Sequence, residues 1–283
     1  METRAVDRGS NRIGHVNKVQ YVRRDFKKRK CRKIKRPPIP VVPMALQELF
    51  VSCREVFKGP GTVPLPCDVE KLCCILDNMK AEDVGLSSNL QFFKPNVPVK
   101  GSPRVTYTTI YRCDNFSLCI FFLPATGVIP LHNHPGMTVF SKLLLGKMHI
   151  KSYDWVDPTN SDDTAQPCES ERFARRLAKL KADAVFTSPC STSVLYPTSG
   201  GNIHSFTAIT PCAVLDVLGP PYSMEDGRDC SYYKEHPYAS FPNGDMGLGE
   251  EEGEGYRWLE EIEVPENSQM DGIEYLGPQI SDI

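Results

Sequence analysis

The chain has no apolar run approaching the ~20 residues that a membrane-spanning helix needs. Its N-terminus also lacks the successive charged, apolar and cleavage regions of a secretory signal. A soluble, non-secreted protein is the expectation. No Cys-x-x-Cys spacing occurs among its 11 cysteines. That count is odd, and Cys73 and Cys74 are adjacent, so neither a disulfide framework nor a zinc knuckle is indicated; reduced thiols in the cytosol or nucleus fit better. Histidine is scarce, with only six in 283 residues. Three of these are readily set aside: His15 falls in a basic stretch, His149 alternates with Lys147 and Lys151 on a solvent face, and His236 sits in a loop beside Pro237.

The other three carry the chemistry. His132 and His134 stand in Gly127-Val-Ile-Pro-Leu-His-Asn-His-Pro-Gly136, and His204 follows Gly200-Gly201 in Pro197-Thr-Ser-Gly-Gly-Asn-Ile-His. Side chains at i and i+2 of a strand share a face, so the first two can reach one ion, with His204 delivered by a later strand. The alternative is a pair of ordinary strand residues, but Gly127, Pro135-Gly136 and Gly146 outline a strand, turn and return strand. That is the layout of a cupin, a small barrel holding a metal inside its mouth.

A further absence concerns the carboxylate that the common cupin pattern places a few residues after His-x-His. Thr138 and Val139 occupy the candidate positions. Three neutral imidazoles leave a divalent ion with its full charge and, in octahedral geometry, three open positions. A thiolate with a nearby amine fills two of these and O2 the third. Fe(2+) is preferred because it can pass electrons to O2, whereas zinc has no redox chemistry; a three-histidine zinc hydrolase is the enzymatic rival.

Charge divides the chain. Residues 1–36 hold 14 Lys/Arg and 3 Asp/Glu, a net of +11, leaving −13 for the remainder and −2 overall. The run from Arg23 to Arg36 can be read by a nuclear import receptor or can bind polyanions; the plain alternative is a solvated tail. Pro37-Pro-Ile-Pro-Val-Val-Pro43 then forms a stiff linker. Residues 1–43 are accordingly expected to be a disordered basic tail with its linker, and residues 44–283 a single domain.

Within that domain, Leu46, Leu49, Phe50, Cys53, Val56 and Phe57 recur at helical spacing. A second helix, capped by Asp68, presents Val69, Leu72, Cys73, Leu76 and Met79. From Val105 the pattern turns to short strands: 105–111, 116–123, the metal strand, 140–155 around Gly146, then 193–196, 203–209 and 212–218. The polar segment 157–183 reads as an insertion, with Phe173, Leu177 and Leu180 suggesting a short helix. The fold class is mainly β, a cupin-type double-stranded β-helix barrel with N-terminal helices. Residues 245–283 hold 12 Asp/Glu against the single Arg257. This acidity either draws in basic substrate termini or serves solubility, while 256–262 and 273–278 keep enough apolar residues to pack on the barrel.

Four stretches carry a family resemblance: Ile129-Pro-Leu-His-Asn-His-Pro-Gly-Met-Thr-Val139, Gly146-Lys-Met-His-Ile-Lys-Ser-Tyr-Asp-Trp155, Tyr196-Pro-Thr-Ser-Gly-Gly-Asn-Ile-His204 and Ala213-Val-Leu-Asp-Val-Leu-Gly-Pro-Pro-Tyr222. From Met44 onward the chain resembles the plant cysteine oxidases, relatives of animal cysteamine dioxygenase among the thiol dioxygenase cupins. The resemblance implies non-haem Fe(2+) on His132, His134 and His204, and oxidation by O2 of Cys-initiating N-termini of target proteins, notably ethylene response factor regulators, to cysteine sulfinic acid. It further implies oxygen sensing in the hypoxia response, through arginylation and the N-degron pathway, in nucleus and cytoplasm. Neither a membrane nor a specific nucleic acid is an expected partner.

The same resemblance puts Asp216, Tyr222 and Cys230 in or near the pocket. Asp216 interrupts an apolar run, and a buried carboxylate needs a partner. It either accepts a hydrogen bond from the substrate amine or a water at the iron, or ties to a neighbouring backbone or tyrosine group. Some thiol dioxygenases join a cysteine to a tyrosine near the metal by a thioether, a question the sequence leaves open for Tyr222 and Cys230. A non-catalytic nuclear cupin that binds partners through residues 12–36 is the remaining alternative.

Overall fold

In the computed structural model, which describes residues 43–87, 103–156, 175–240 and 255–281, the helical periodicity after the linker becomes α1 (Met44–Val56) and α2 (Pro66–Asn78). The basic run 23–36 and the linker up to residue 42 lie outside the described residues, as do Phe173 and most of 244–255. Asp68 does not cap α2. Leu65 holds the cap position and Pro66 begins the helix, because a proline ring presets the helical φ and its missing N–H costs nothing at the first position. Asp68 instead lies in the first turn, where a carboxylate faces the positive end of the helix dipole.

Twelve strands follow in chain order: β1 (Thr106–Arg112), β2 (Ser117–Leu123), β3 (Val128–His132), β4 (Thr138–Leu145), β5 (Lys147–Trp155), β6 (Arg175–Thr187), β7 (Ser193–Leu195), β8 (Ile203–Ala208), β9 (Cys212–Gly219), β10 (Tyr232–Pro237), β11 (Tyr256–Ile262) and β12 (Asp271–Gly272). One sheet runs β12-β1-β2-β9-β4-β7, and the second closes on itself as β10-β11-β6-β5-β8-β3. The chain passes from the first sheet to the second and back through β2, β3, β4 and β5, and again through β7, β8 and β9. That alternation winds a double-stranded β-helix barrel of the cupin type.

Period-two patterning decides what each strand faces. Along β9, Ala213, Leu215 and Val217 pack with Leu49, Phe50, Leu72 and Leu76 of the helices, which cover the outside of the first sheet. Val214 joins Ile129, Leu143, Met148 and Phe206 between the sheets, and Leu218 joins Met137 and Val139 further along the same layer. Asp216, between Val214 and Leu218, therefore stands in the interior row. On the other side, Tyr153, Ala178, Ile203 and Leu259 form a separate small core under the β10–β11 hairpin. Of the acidic C-terminal part, Leu259 of β11 thus packs on the barrel and Tyr275 reaches the helix layer, donating from its hydroxyl to the Val84 carbonyl at 3.3 Å, whereas Ile273 and Leu276, expected to pack, are exposed.

Of the segment read as a polar insertion with a helix, residues 175–183 belong instead to a strand, β6. β6 pairs with β5 from Lys147↔Thr187 to Trp155↔Ala178, with a bulge between Ser152 and Tyr153. Ala178, Leu180 and Ala182 are turned inward while Lys179, Lys181 and Asp183 are exposed. Alanine, leucine and lysine favour helix locally, but strand pairing overrides that preference. His236 likewise lies on β10 rather than in a loop, with Nε2 2.8 Å from the Glu260 carboxylate. No helix among the described residues is long and apolar enough to cross a membrane.

The helices stabilise the barrel from outside without touching its interior. Leu76→Ala, at a fully buried position of α2, should lower unfolding free energy by about 2–5 kcal/mol in urea titration and leave bound-metal stoichiometry unchanged.

Candidate metal centre

His132 ends β3 and lies in register with His204 of β8. His134 is not on the strand as expected from i, i+2 alternation: β3 stops at His132, and His134 sits in the following turn. Its position comes from a distant residue. Asn202 accepts the His134 N–H at 3.1 Å through Oδ1 and donates from Nδ2 to the His134 carbonyl at 2.9 Å and to that of Tyr196 at 2.7 Å. The three rings are buried, their centroids are 4.8–4.9 Å apart, and their ligand nitrogens all lie within 4.8 Å of one another.

Hydrogen bonds select the tautomers that free Nε2 for a metal. His132 Nδ1–H donates to the Pro130 carbonyl at 2.8 Å, an oxygen that can only accept. The Tyr222 hydroxyl donates to the Asn133 carbonyl at 2.8 Å and stands 2.8 Å from His134 Nδ1. With its proton committed to Asn133, the phenol accepts from His134 Nδ1–H. Burial, reinforced by Cys230, drives the Tyr222 pKa well upward and keeps the phenol protonated for this bridge. Burial also holds the imidazoles below their ordinary pKa, His134 and His204 furthest, with adjacent imidazoles adding to both. All three are neutral at pH 7, the form that binds metal.

The donor set fits an ion. His134 and His204 present Nε2 to Nε2 at 3.2 Å. Metal–nitrogen bonds of about 2.1 Å put adjacent ligands about 3.0 Å apart in an octahedron and about 3.4 Å in a tetrahedron, so the spacing lies between the two. Among the described residues, this trio is the group of metal-binding side chains that converges closely enough to share an ion. Thr138 and Val139 are both buried and supply no carboxylate.

A second tier of residues, not singled out in the sequence, holds the trio. The Asp154 carboxylate accepts the backbone N–H of Gly200 at 3.1 Å, Gly201 at 2.7 Å and Asn202 at 3.1 Å, fixing the loop that presents Asn202 and then His204. Gly201 has φ +84°, and a Cβ there would come 2.5 Å from Ser152 Oγ, so the loop requires glycine. Asn133 joins the two ligands to β10: its Oδ1 accepts Ser231 N–H at 2.8 Å and its Nδ2 donates to the Tyr233 hydroxyl at 3.1 Å. No local pattern marks Asp154, since its partners lie 46 to 48 residues away.

Asp216 is buried in the interior row of β9, opposite Cys119 of β2 and Ser141 of β4. Ser141 hydrogen-bonds it, rather than a backbone or tyrosine group, while Oδ1 is buried with no partner among the described residues. Desolvation pushes its carboxyl up to about 7. Tyr222 is close enough for the Asp216 charge to act on it. The Cys230 thiol is free and within hydrogen-bonding reach of Tyr222 and Tyr232, and burial raises its pKa. Tyr232, which the sequence did not single out, pairs with His132 across β10 and β3, its ring 6.3 Å from the imidazole.

Fold and site together define a cupin with a three-histidine metal centre. The chain belongs to the PCO_ADO family, whose model matches residues 75–280. It is 50% identical over 246 residues to plant cysteine oxidase 1 of Arabidopsis thaliana, covering 84% of this chain and 81% of the relative. Plant cysteine oxidase 2 of the same plant is 52% identical over 240 residues, covering 84% and 83%. A more distant relative, 2-aminoethanethiol dioxygenase of Homo sapiens, is 37% identical over 201 residues, covering 65% and 72%. The similarity thus spans the whole barrel and not only the histidine motifs.

Tyr222→Phe removes the acceptor that fixes the His134 ring. Metal affinity should fall by about 10- to 100-fold in chelator competition, with the unfolding midpoint of the metal-free protein little changed.

The carboxyl of Asp216 predicts a pH effect on the metal-free protein. Its folded pKa, about 7, exceeds the ordinary 3.8, so the folded state holds the proton more tightly and stability falls as pH rises between those values. Asp216→Asn carries no such cost. Its melting temperature should exceed that of the wild type more at about pH 8 than at about pH 5, and equal differences at both would exclude a perturbed Asp216.

Proposed function

We propose that this thiol dioxygenase converts the N-terminal cysteine of target proteins to cysteine sulfinic acid, using Fe(II) held by His132, His134 and His204. The observation that carries the reading is a buried three-histidine centre in a chain about half identical to two plant cysteine oxidases. Fe(II) bound there would supply electrons to O2 and a positive charge favouring the thiolate of a cysteine whose free pKa is ~8.5. The balance is a thiol plus O2 giving a sulfinic acid: sulfur loses four electrons, both oxygen atoms end on it, and no other reductant is required.

The protein's own groups prepare this reaction. Three neutral imidazoles add no negative charge that would repel a thiolate. Asp216, with Oδ1 unpartnered in the barrel interior, is the acceptor we assign to the substrate's terminal amine. Tyr222 holds the His134 ring and borders the space in which the cysteine lies, with Cys230 behind its hydroxyl.

Because O2 is consumed and the sulfinate is not readily reversed, turnover follows oxygen supply. This supports an oxygen-sensing role in the hypoxia response, with ethylene response factor regulators as targets and the N-degron pathway as the consumer of the product. The basic run Arg23 to Arg36 is the segment we assign to a nuclear import receptor, with the enzyme divided between nucleus and cytoplasm.

Loaded anaerobically with Fe(II) and given a Cys-initiating peptide, the protein should add two oxygen atoms by mass only when air is admitted. The N-acetylated peptide and free cysteine should react poorly, since one lacks the basic amine and the other the chain that fills the outer pocket. Equal rates on free cysteine would instead indicate a small-molecule thiol dioxygenase.

Deleting residues 1–36 should abolish nuclear accumulation of a fluorescent fusion while peptide oxidation in vitro stays near the wild-type rate. Undiminished nuclear signal would exclude the import role, and lost turnover on short peptides would place the tail in the active domain.

A further inference from the structure

The histidine centre has an approach on the side away from its tyrosines. Tyr222 meets the trio at His134 and Tyr232 meets it at His132, whereas a cavity of about 90 Å³ meets it at His204. The cavity exists because the sandwich is not laced along that side: β7 is the last strand of the first sheet, the β5–β6 pair belongs to the second, and among the described residues no ladder joins them. Val139, Ile150, Leu195 and Phe206 supply its apolar walls. A smaller hollow shares Ile150, Phe186 and Phe206 with it and runs on to Cys190 and Ser191. Ser191 and Ser193 are exposed, so the seam reaches the surface.

We propose that this seam cavity is the entry and holding site for dioxygen, separate from the space beside Tyr222 that we assign to the substrate cysteine. The inference rests on the dioxygenase reading and deepens it. A space of about 90 Å³ holds a diatomic gas and excludes a peptide; engineered apolar cavities of about 150 Å³ stay dry and take up xenon or benzene. Water held there would need two to four polar partners. Two of the serines on its wall are already engaged: Ser193 Oγ donates to the Ser141 carbonyl at 3.3 Å, and the Ser141 side chain bonds Asp216. An apolar gas loses nothing by leaving water for such walls, while charged and strongly hydrated species do. Because the cavity meets the centre at His204, O2 has a path to it while a peptide terminus lies beside Tyr222.

Xenon pressurisation of crystals of the metal-loaded protein should place a xenon atom between Ile150, Phe206 and His204. Ile150→Phe narrows the cavity at its middle; it should exclude xenon and raise KM for O2 by about tenfold, with iron content and KM for the peptide within about twofold of wild type. Ser193→Phe, at the outer end, carries the same expectation where the deeper variant does not fold. Ordered waters in place of xenon, or an unchanged KM for O2 in a variant that excludes xenon, would overturn the route. An active enzyme without xenon rejects the route alone, whereas xenon in a protein that adds no oxygen to any Cys peptide rejects the dioxygenase reading and the gas assignment together.

Discussion

Three buried imidazoles held within bonding distance of one ion are the constraint on which the rest of the structure depends. His134 and His204 set Nε2 against Nε2 at 3.2 Å, a spacing that a shared proton or a metal ion can bridge, and burial disfavours a charged imidazolium at either ring. For an ion to take that place the polypeptide has to hold the rings in position. Strand pairing does part of the work by setting His132 opposite His204. The rest falls to Asn202, which grips both backbone polar groups of His134, and to Asp154, which grips the loop carrying Asn202.

The two sheets divide the labour. The second sheet supplies two of the histidines, and its β10–β11 hairpin closes over the opposite face. The first supplies Asp216, and its outer face is sealed by α1 and α2. The Asp216 carboxylate is therefore reached only from the barrel interior, where Ser141 hydrogen-bonds it and Oδ1 has no partner among the described residues. A carboxylate at position 139, which faces the interior, would instead add negative charge to the centre. The buried Thr138 and Val139 leave that charge out, which suits a site receiving a thiolate.

Much of this was legible in the sequence because it is local. Alternating apolar residues announced the strands, the helical spacing of Leu46 to Phe57 announced α1, and the three histidines announced a single site among six candidates. What misled was also local: alanine, leucine and lysine in 177–181 speak for helix, yet those residues lie in a strand paired with β11 on one side and β5 on the other. Proline 66 started α2 before the aspartate that was expected to cap it.

The sequence by itself determined which residue types face inward and where turns fall, since periodicity and glycine conformation depend only on neighbours along the chain. Only the tertiary structure decided that His134 leaves the strand and is caught by Asn202, 68 residues away. It alone showed that Asp154 fastens that asparagine's loop and that the Tyr222 phenol, 88 residues from His134, sets its tautomer. The physical reason is that hydrogen bonds are made in space: a buried donor finds whichever acceptor the packed barrel brings within 3 Å or so, and no spacing along the chain records that meeting.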